Sequence, residues 1–477
     1  MFKPVRMYKL FTAVIKDHIG KVISALGENE SCHFIGKPVP NIDITCKKNI
    51  LLSIEHYVDG MLLKAPVKKR EIPGIGISND VDIMLHDIAI YVQSHDEITT
   101  QQLIEIKKTI FYLKSIYNVL ENCNETQYTY LLEAWVPEGK QDIVQASIED
   151  AANCKSIVYF SDPVFGETPP TIISNPQMMK PFEKLVKMYG LPSYYELDPT
   201  WVVFVTFPLI FGMMYGDVGH GIIIFLLSMG IFLSGEKRFK KFTGFKDFSP
   251  ILMGCGVFSV IFGFLYGEFL GFKFHPLWLS PSENISYFLV LSVWIGVLHL
   301  IVGFVLNGIN LWNNKKYLRA IFQLQWIIFS ISSVYFITGF VDIVSPGFGG
   351  DIPQIVLILL PVAVMAASAM MINSIEGKGG LSGIMVPFYL GIEYAMHLMS
   401  YMRLLIMALA HSTISATIIA LSGSSTVSIV VAGIITFVLI IIVETFIVFI
   451  QTLRLHWVEW FYLFYRGKGT EFRGFRL

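Results

Sequence analysis

Apolar residues are spread unevenly along this chain. Up to about residue 197 they recur in short strand and helix periods between charged positions. Beyond that point they run almost unbroken through eight segments, at about 200–216, 218–234, 248–272, 285–312, 318–340, 352–373, 386–421 and 427–464. Each is long enough to cross a hydrocarbon core of about 30 Å at a rise of 1.5 Å per residue, the first two only just. Segments seven and eight overshoot: a helix of that length would run roughly 50 Å, so each must tilt, bend or project beyond the bilayer.

The polar first part reads as mixed α/β. Residues 8–15 alternate as a strand and 20–26 have a helical pattern. YTYLLEAWV (128–136) is rich in aromatic and branched residues and is stopped by Pro137, which marks a strand. A polar helix over 140–152 and a strand over 156–160 follow, suggesting a small ferredoxin-like lobe. Between the halves of the lobe, Leu103, Ile106, Ile110, Leu113, Tyr117 and Leu120 form a seam in steps of three and four. Such a seam packs against another helix, for which 80–93 is the candidate. A connector punctuated by Pro163, Pro169, Pro170, Pro176, Pro181, Pro192 and Pro199 leads to the first apolar segment. The expected architecture is therefore an α/β cytosolic domain over 1–197, with a helical hairpin and connector, and an all-α polytopic membrane domain over 198–477. The latter has eight transmembrane helices, the last two long and tilted.

Composition agrees: 53% of residues are hydrophobic, 15% are charged, and the net charge of −1 gives no electrostatic footing for nucleic acid. Cys32, Cys46, Cys123, Cys154 and Cys255 are scattered and never form CxxC, which argues against a disulfide framework or a cysteine zinc site. Residues 1–30 show no signal-peptide pattern. Loop charge orders the spans. Lys237, Arg238, Lys240, Lys241, Lys246, Lys315, Lys316, Arg319, Lys378, Arg466, Lys468, Arg473 and Arg476 follow even-numbered segments, whereas the odd-numbered turns offer only Lys273. This bias places both termini in the cytoplasm and requires an even number of spans.

Against that background, Arg403 and Arg454 stand out, each within a long apolar segment. An arginine at mid-bilayer costs about 2.5–3.5 kcal/mol on insertion scales and usually has a partner or faces water. Snorkelling from a helix end is the alternative. Glu393, His397, Ser400, Arg403, Met407 and His411 are spaced by four, three, three, four and four, which is one helical face. Glu444, Gln451 and Arg454 share a face of segment eight. If the two faces meet, a polar seam crosses the apolar bundle; the blander reading is a set of interhelical hydrogen bonds. By the expected topology, Glu393 and His397 lie on the cytoplasmic side of Arg403 by about 15 and 9 Å, and His411 lies about 12 Å beyond it. Segment one ends in FPLIFGMMYGDVGHG (207–221), where Asp217 and His220 either line an outer mouth or cap a glycine-rich reversal. Glu268 has the same ambiguity.

PPTIISNPQMMKPFEKLVKMYGLPSYYELDPT (169–200), FPLIFGMMYGDVGHG, SYMRLLIMALAHSTIS (400–415) and LRLHWVEWFYLFYRGKGTEFRGF occur in that order. Together they resemble the membrane subunit of rotary V-type ATPases, subunit a in eukaryotes and subunit I in archaea and bacteria. The resemblance runs from about residue 127 onward. It implies that Arg403 is the essential channel arginine facing a rotor-ring carboxylate, that Arg454, Glu444 and His411 support the channel, and that Asp217 lies in the family's glycine-rich turn. The first domain is shorter than the family's usual form, closer to the archaeal or bacterial type, which implies the cell membrane of such an organism.

The function expected is that of a stator subunit forming two offset half-channels against a rotating ring of carboxylates, coupling proton or sodium movement to ATP hydrolysis or synthesis elsewhere. The partners implied are the proteolipid ring, peripheral stalk subunits, a central rotor subunit, soluble ATPase subunits and lipid. No phosphate-cradling GxxxxGK[ST] motif occurs, so no ATP site is expected here, and no cofactor or metal set is expected. The rival is a self-contained secondary ion transporter, but repeated halves are not evident. A signalling receptor would leave both intramembrane arginines unexplained.

Overall fold

The computed structural model describes residues 3–35, 42–62, 85–86, 88–90, 100–164, 166–233, 243–340, 354–375, 385–422 and 426–476. The chain folds into two compact units. One comprises Val5–Ile172 with Gly469–Leu477, and the other Ile173–Lys468 with Met1–Pro4.

The first unit is built on β1 (Met7–Ile15), α1 (Ile19–Glu28), β2 (His33–Phe34), α2 (Ile42–Leu62), α3 (Thr100–Leu120), β3 (Asn124–Glu125), β4 (Thr129–Pro137), α4 (Gln141–Ala151) and β5 (Ser156–Ser161). The sheet order is β2-β4-β1-β5, with β3 also on β4 and every pairing antiparallel. This is the order of two interlocked split βαβ units, as the strand–helix–strand pattern predicts. Ile19, Val22, Ile23 and Leu26 of α1 follow the i, i+3, i+4, i+7 rule, and with Val144 and Ile148 of α4 they cover Leu10, Val14, Leu132 and Ala134.

The seam on α3 is buried throughout, and its main partner is α2. Lys107–Asp59, Lys114–Glu55 and Lys48–Glu121 pairs (2.5, 2.8 and 2.5 Å) zip the two helices antiparallel. Ile44, Leu51 and Val58 supply the matching seven-residue apolar spacing on α2. Most of 80–93 lies outside the described residues, though Leu85 and Ile88 reach the same core. The final residues return to this unit. The Phe475 N–H donates to the Cys32 carbonyl (2.8 Å), and the Phe475 ring meets Phe34 edge-on at 5.1 Å. Among the described residues, Cys32, Cys123, Cys154 and Cys255 are free. Burial pushes the Cys32 and Cys123 thiols up to about 12, so neither is a ready nucleophile.

The second unit contains α5 (Lys180–Tyr189), α6 (Thr200–Met214), α7 (Val218–Leu233), α8 (Thr243–Tyr266), a β6–β7 hairpin (Glu268–Phe269, Phe272–Lys273), α9 (Ile285–Asn313), α10 (Tyr317–Phe340), α11 (Gln354–Ile375), α12 (Met385–Ser400) and α13 (Arg403–Ser422). A last helical rod joins α14 (Thr426–Ile435), a π-helical stretch (Thr436–Glu444), α15 (Thr445–Arg454), a second π stretch (Leu455–Phe461) and α16 (Tyr462–Phe464). The connector packs here rather than with the α/β lobe. Phe182, Leu185, Val186 and Leu197 share a core with Val203, Phe207 and Trp460, so the packing boundary falls at 172–173 although apolar helix starts near 200.

The described residues of all eight apolar segments are mostly helical. Among them, four helices are long and apolar enough to cross a membrane: Lys246–Tyr266, Ile285–Asn313, Met385–Ala420 and Gly433–Phe464. Thr200–Met214, Val218–Leu233 and Leu359–Ile375 are apolar but shorter. The third segment stops short of residue 272, because Gly267 and Gly271 adopt left-handed φ of 74° and 80° and turn the chain into the hairpin. The loop lysines and arginine at 237–241 and Lys378 lie outside the described residues.

Ile110→Ala should lower the stability of the first unit by about 2–5 kcal/mol. Hydrogen exchange of the β1 and β4 amides in the full chain would register this as faster global opening.

Candidate functional site

The polar residues of the second unit gather in three places. The first surrounds Arg403. Segment seven is not one straight helix: Tyr401 and Met402 form a tight turn between α12 and α13, in which their N–H groups donate to the Leu398 and Met399 carbonyls (both 3.1 Å). The expected run from Glu393 to His411 crosses this turn, with Glu393, His397 and Ser400 on α12 and Arg403, Met407 and His411 on α13. Tyr401 anchors the turn. It is fully buried, its hydroxyl lies 2.8 Å from His299 Nδ1, and its ring presses on Gly296, where a Cβ would sit 2.6 Å from Tyr401 Cγ. Arg403 Nη2 lies 3.2 Å from Ser400 Oγ and 3.6 Å from Glu459 Oε1. That is looser than the 2.7–2.9 Å of a close charge-assisted bond, and Arg403 Nη1 is buried without a hydrogen-bond partner. Glu459 itself is buried in the second π stretch.

Behind this pair lies a buried histidine group. His299 stacks on Trp460 (4.7 Å between centroids) and meets His456 at 5.1 Å. His456 is held by Thr206 Oγ1 (2.9 Å) and the Thr452 carbonyl (2.8 Å). These contacts pack the helices around the arginine.

The second place is a buried cluster near the β6–β7 hairpin. Asp217 caps α7 by accepting from the His220 N–H at 2.9 Å. It also accepts from Leu270 N–H (3.0 Å) and Gly271 N–H (3.2 Å), which ties the hairpin to the turn. The capping of the glycine-rich reversal by Asp217 is thus seen directly, and its carboxylate also faces polar side chains. His220 Nδ1 lies 3.2 Å from Asp217 Oδ2, and His411 Nδ1 lies 3.1 Å from Glu444 Oε1. Neither contact has the direction of a linear hydrogen bond, so the four histidine nitrogens and both Glu444 oxygens remain unpartnered. The two imidazoles meet edge-on at 5.4 Å, and Tyr215 covers His411 at 4.4 Å. Glu268 is also buried here, facing Ser412.

The third is a cavity of about 200 Å³ lined by Glu393, His397, Tyr394, Tyr462, Asn307 and Gln323 together with apolar side chains. Segment eight presents its polar residues unevenly. Glu444 is buried and Gln451 half-buried, whereas Arg454 is exposed among Ile447, Ile450 and Val458 and lies within electrostatic range of Arg403.

The family model for the V-type ATPase 116kDa subunit family matches residues 77–283 and 387–477. The chain belongs to that family. Every candidate site residue read from the sequence falls inside those two stretches, whereas His299 and Gln323 fall outside. Relatives include the A-type ATP synthase subunit I of Methanothermobacter thermautotrophicus, 30% identical over 79% of this chain and 56% of that protein. The subunit I of Pyrococcus horikoshii is 29% identical over 88% of this chain and 66% of that protein. The vacuolar proton translocating ATPase 100 kDa subunit of Dictyostelium discoideum is 24% identical over 51% and 35%. The chain thus spans a little over half of the first archaeal relative. With its several apolar helices, this member of the V-type ATPase 116kDa subunit family is a multi-pass membrane protein.

Sequence reasoning missed Glu459, although LRLHWVE places it five residues beyond Arg454. It also missed Tyr401 and His299, whose aromatic character within apolar helices gave no signal apart from core packing.

Asp217→Ala should strip a buried acceptor from three backbone N–H groups, at about 1–3 kcal/mol for each donor left unpaired. Faster hydrogen exchange at Leu270 and Gly271, with Asp217→Asn intermediate, would be the measured sign.

Proposed function

We propose that this chain is the membrane stator subunit of a rotary V/A-type ATPase, and that it forms two offset half-channels against a rotor ring of small proteolipid subunits. The observation that carries the reading is the division of polar groups about Arg403. Glu393 and His397 line a cavity on one flank, and His411, Glu444, Asp217 and His220 cluster on the other.

The chemistry follows from what each group can do. A ring carboxylate crossing lipid stays neutral because desolvation opposes its charged form. Beside a guanidinium that keeps its charge at any physiological pH, the carboxylate form is favoured and the proton or sodium ion departs. Arg403 suits this exchange because its hold on Glu459 is loose at 3.6 Å, which leaves donors for a passing acid. Arg454 adds positive field on the exposed face. Ser400 and Gln451 supply hydrogen-bonding sites along the seam, and the permanent charge of the arginines blocks a direct leak between the flanks.

The apolar surface carrying Met396, Met399, Ile406, Phe446 and Ile450 would meet the ring. Eight spans, with the lysine- and arginine-rich loops and both termini cytoplasmic, would place the Glu393 cavity on the inner side and the Asp217 cluster on the outer side. The α/β unit would engage peripheral stalk and central rotor subunits, and ATP would be handled by soluble subunits. A self-contained transporter is the competing reading. Purification in mild detergent separates them, since a stator subunit brings a small apolar ring protein and soluble ATPase subunits with it.

Arg403→Lys should abolish ATP-driven pumping in reconstituted vesicles while leaving assembly intact, because lysine lacks the planar fork and can lose its proton; normal pumping would refute the assignment. Glu444→Gln should slow pumping several-fold without stopping it. Full activity in that variant would reduce Glu444 to a packing role.

A further inference from the structure

We infer that Asp217, His220 and His411 form a binding site for a divalent transition-metal ion of the zinc class, a role that neither the family match nor the channel reading calls for. Among the described residues, these three offer ligand atoms that all lie within 4.8 Å of one another. A tetrahedral zinc ion with bonds of about 2.0–2.2 Å sets neighbouring ligand atoms roughly 3.3–3.5 Å apart. Asp217 Oδ2 and His220 Nδ1 already stand 3.2 Å apart. His411 comes from a different helix, and its ligand atom lies within 4.8 Å of the other two. Glu444 Oε1 stands beside this group, 3.1 Å from His411 Nδ1.

Two independent features point to a ligand. All three side chains are essentially fully buried, yet both nitrogens of both imidazoles lack a hydrogen-bond partner. Buried imidazole nitrogens without a hydrogen bond are costly unless something coordinates or bonds them, even with the Asp217 and Glu444 carboxylates beside two of the four. The Asp217 carboxylate is also pre-oriented by three backbone N–H groups, the kind of outer support that metal-ligating carboxylates have. Two imidazoles and a carboxylate suit zinc and its first-row neighbours rather than calcium or magnesium, which prefer all-oxygen sets. Cysteine takes no part, so the site owes nothing to the scattered thiols.

The test uses the full chain purified in detergent, stripped with a chelator, and titrated with Zn²⁺ and separately with Co²⁺. One Zn²⁺ per chain and the visible absorption of tetrahedral Co²⁺ are expected. His220→Gln and Asp217→Asn should each weaken Zn²⁺ binding at least tenfold while keeping the wild-type elution profile. Where a variant fails to fold, X-ray absorption of the zinc-loaded wild type decides, and a shell of imidazole nitrogen and oxygen is the expected result. No zinc above the buffer level, binding indifferent to both substitutions, or a sulfur-containing shell would overturn the site.

Discussion

A charged group among apolar helices is costly unless its hydrogen-bonding capacity is met close by, and the second unit holds both a met and an unmet case. Asp217 illustrates the fully met case. It is completely buried, and three backbone N–H groups from the start of α7 and from the β6–β7 hairpin converge on its two oxygens. Arg403 is the opposite case. Its contacts with Ser400 and Glu459 occupy one terminal nitrogen, and the other is buried without a partner. The first arrangement makes a rigid corner, the second an under-committed cation. A bundle that holds both places its fixed framework and its reactive charge in different helices.

The glycines make that arrangement geometrically feasible. Gly221 and Gly256 face each other across α7 and α8 so closely that a Cβ on either would come within 3.0 Å of the other helix's backbone. Close approach brings α7 and the hairpin after α8 to the same small region, where His411 of α13 joins them. Helix packing through small residues thus assembles a polar cluster from segments far apart in sequence.

Much of the first unit was legible from pattern alone. The strands at 8–15, 128–136 and 156–160 and the helices at 20–26 and 140–152 all show clear periodicity, and β1, β4, β5, α1 and α4 occupy nearly those spans. Helix α2 escaped notice because charged residues crowd between its apolar positions; only the seven-residue recurrence of Ile44, Leu51 and Val58 marks its buried edge. In the second unit, apolar length located the helices but not their ends. Gly267 and Gly271 terminate α8 through backbone conformation, which hydropathy does not encode. The site was readable as a set of residue types, whereas its grouping was not. The sequence reading took Glu393 to His411 as one continuous helical phase, whereas the turn at Tyr401 and Met402 leaves Glu393, His397 and Ser400 on α12 and Arg403, Met407 and His411 together on α13. Glu459 could have been found as the first acid past Arg454.

The wide turns of the final rod carry a consequence of their own. Between the two π stretches, Thr445–Arg454 is an ordinary α-helix, so the angle between Glu444 and Arg454 about the axis is locked by ten regular residues. The flanking stretches are different in kind, because a π turn accommodates one residue more than an α turn of the same height. Loss of a single residue from 436–443 would be absorbed by tightening that turn. The same loss between 445 and 453 would swing the acid and the arginine apart by about 100°. Length variation in this rod is therefore tolerated at its loosened joints and excluded from the ten-residue ruler between them.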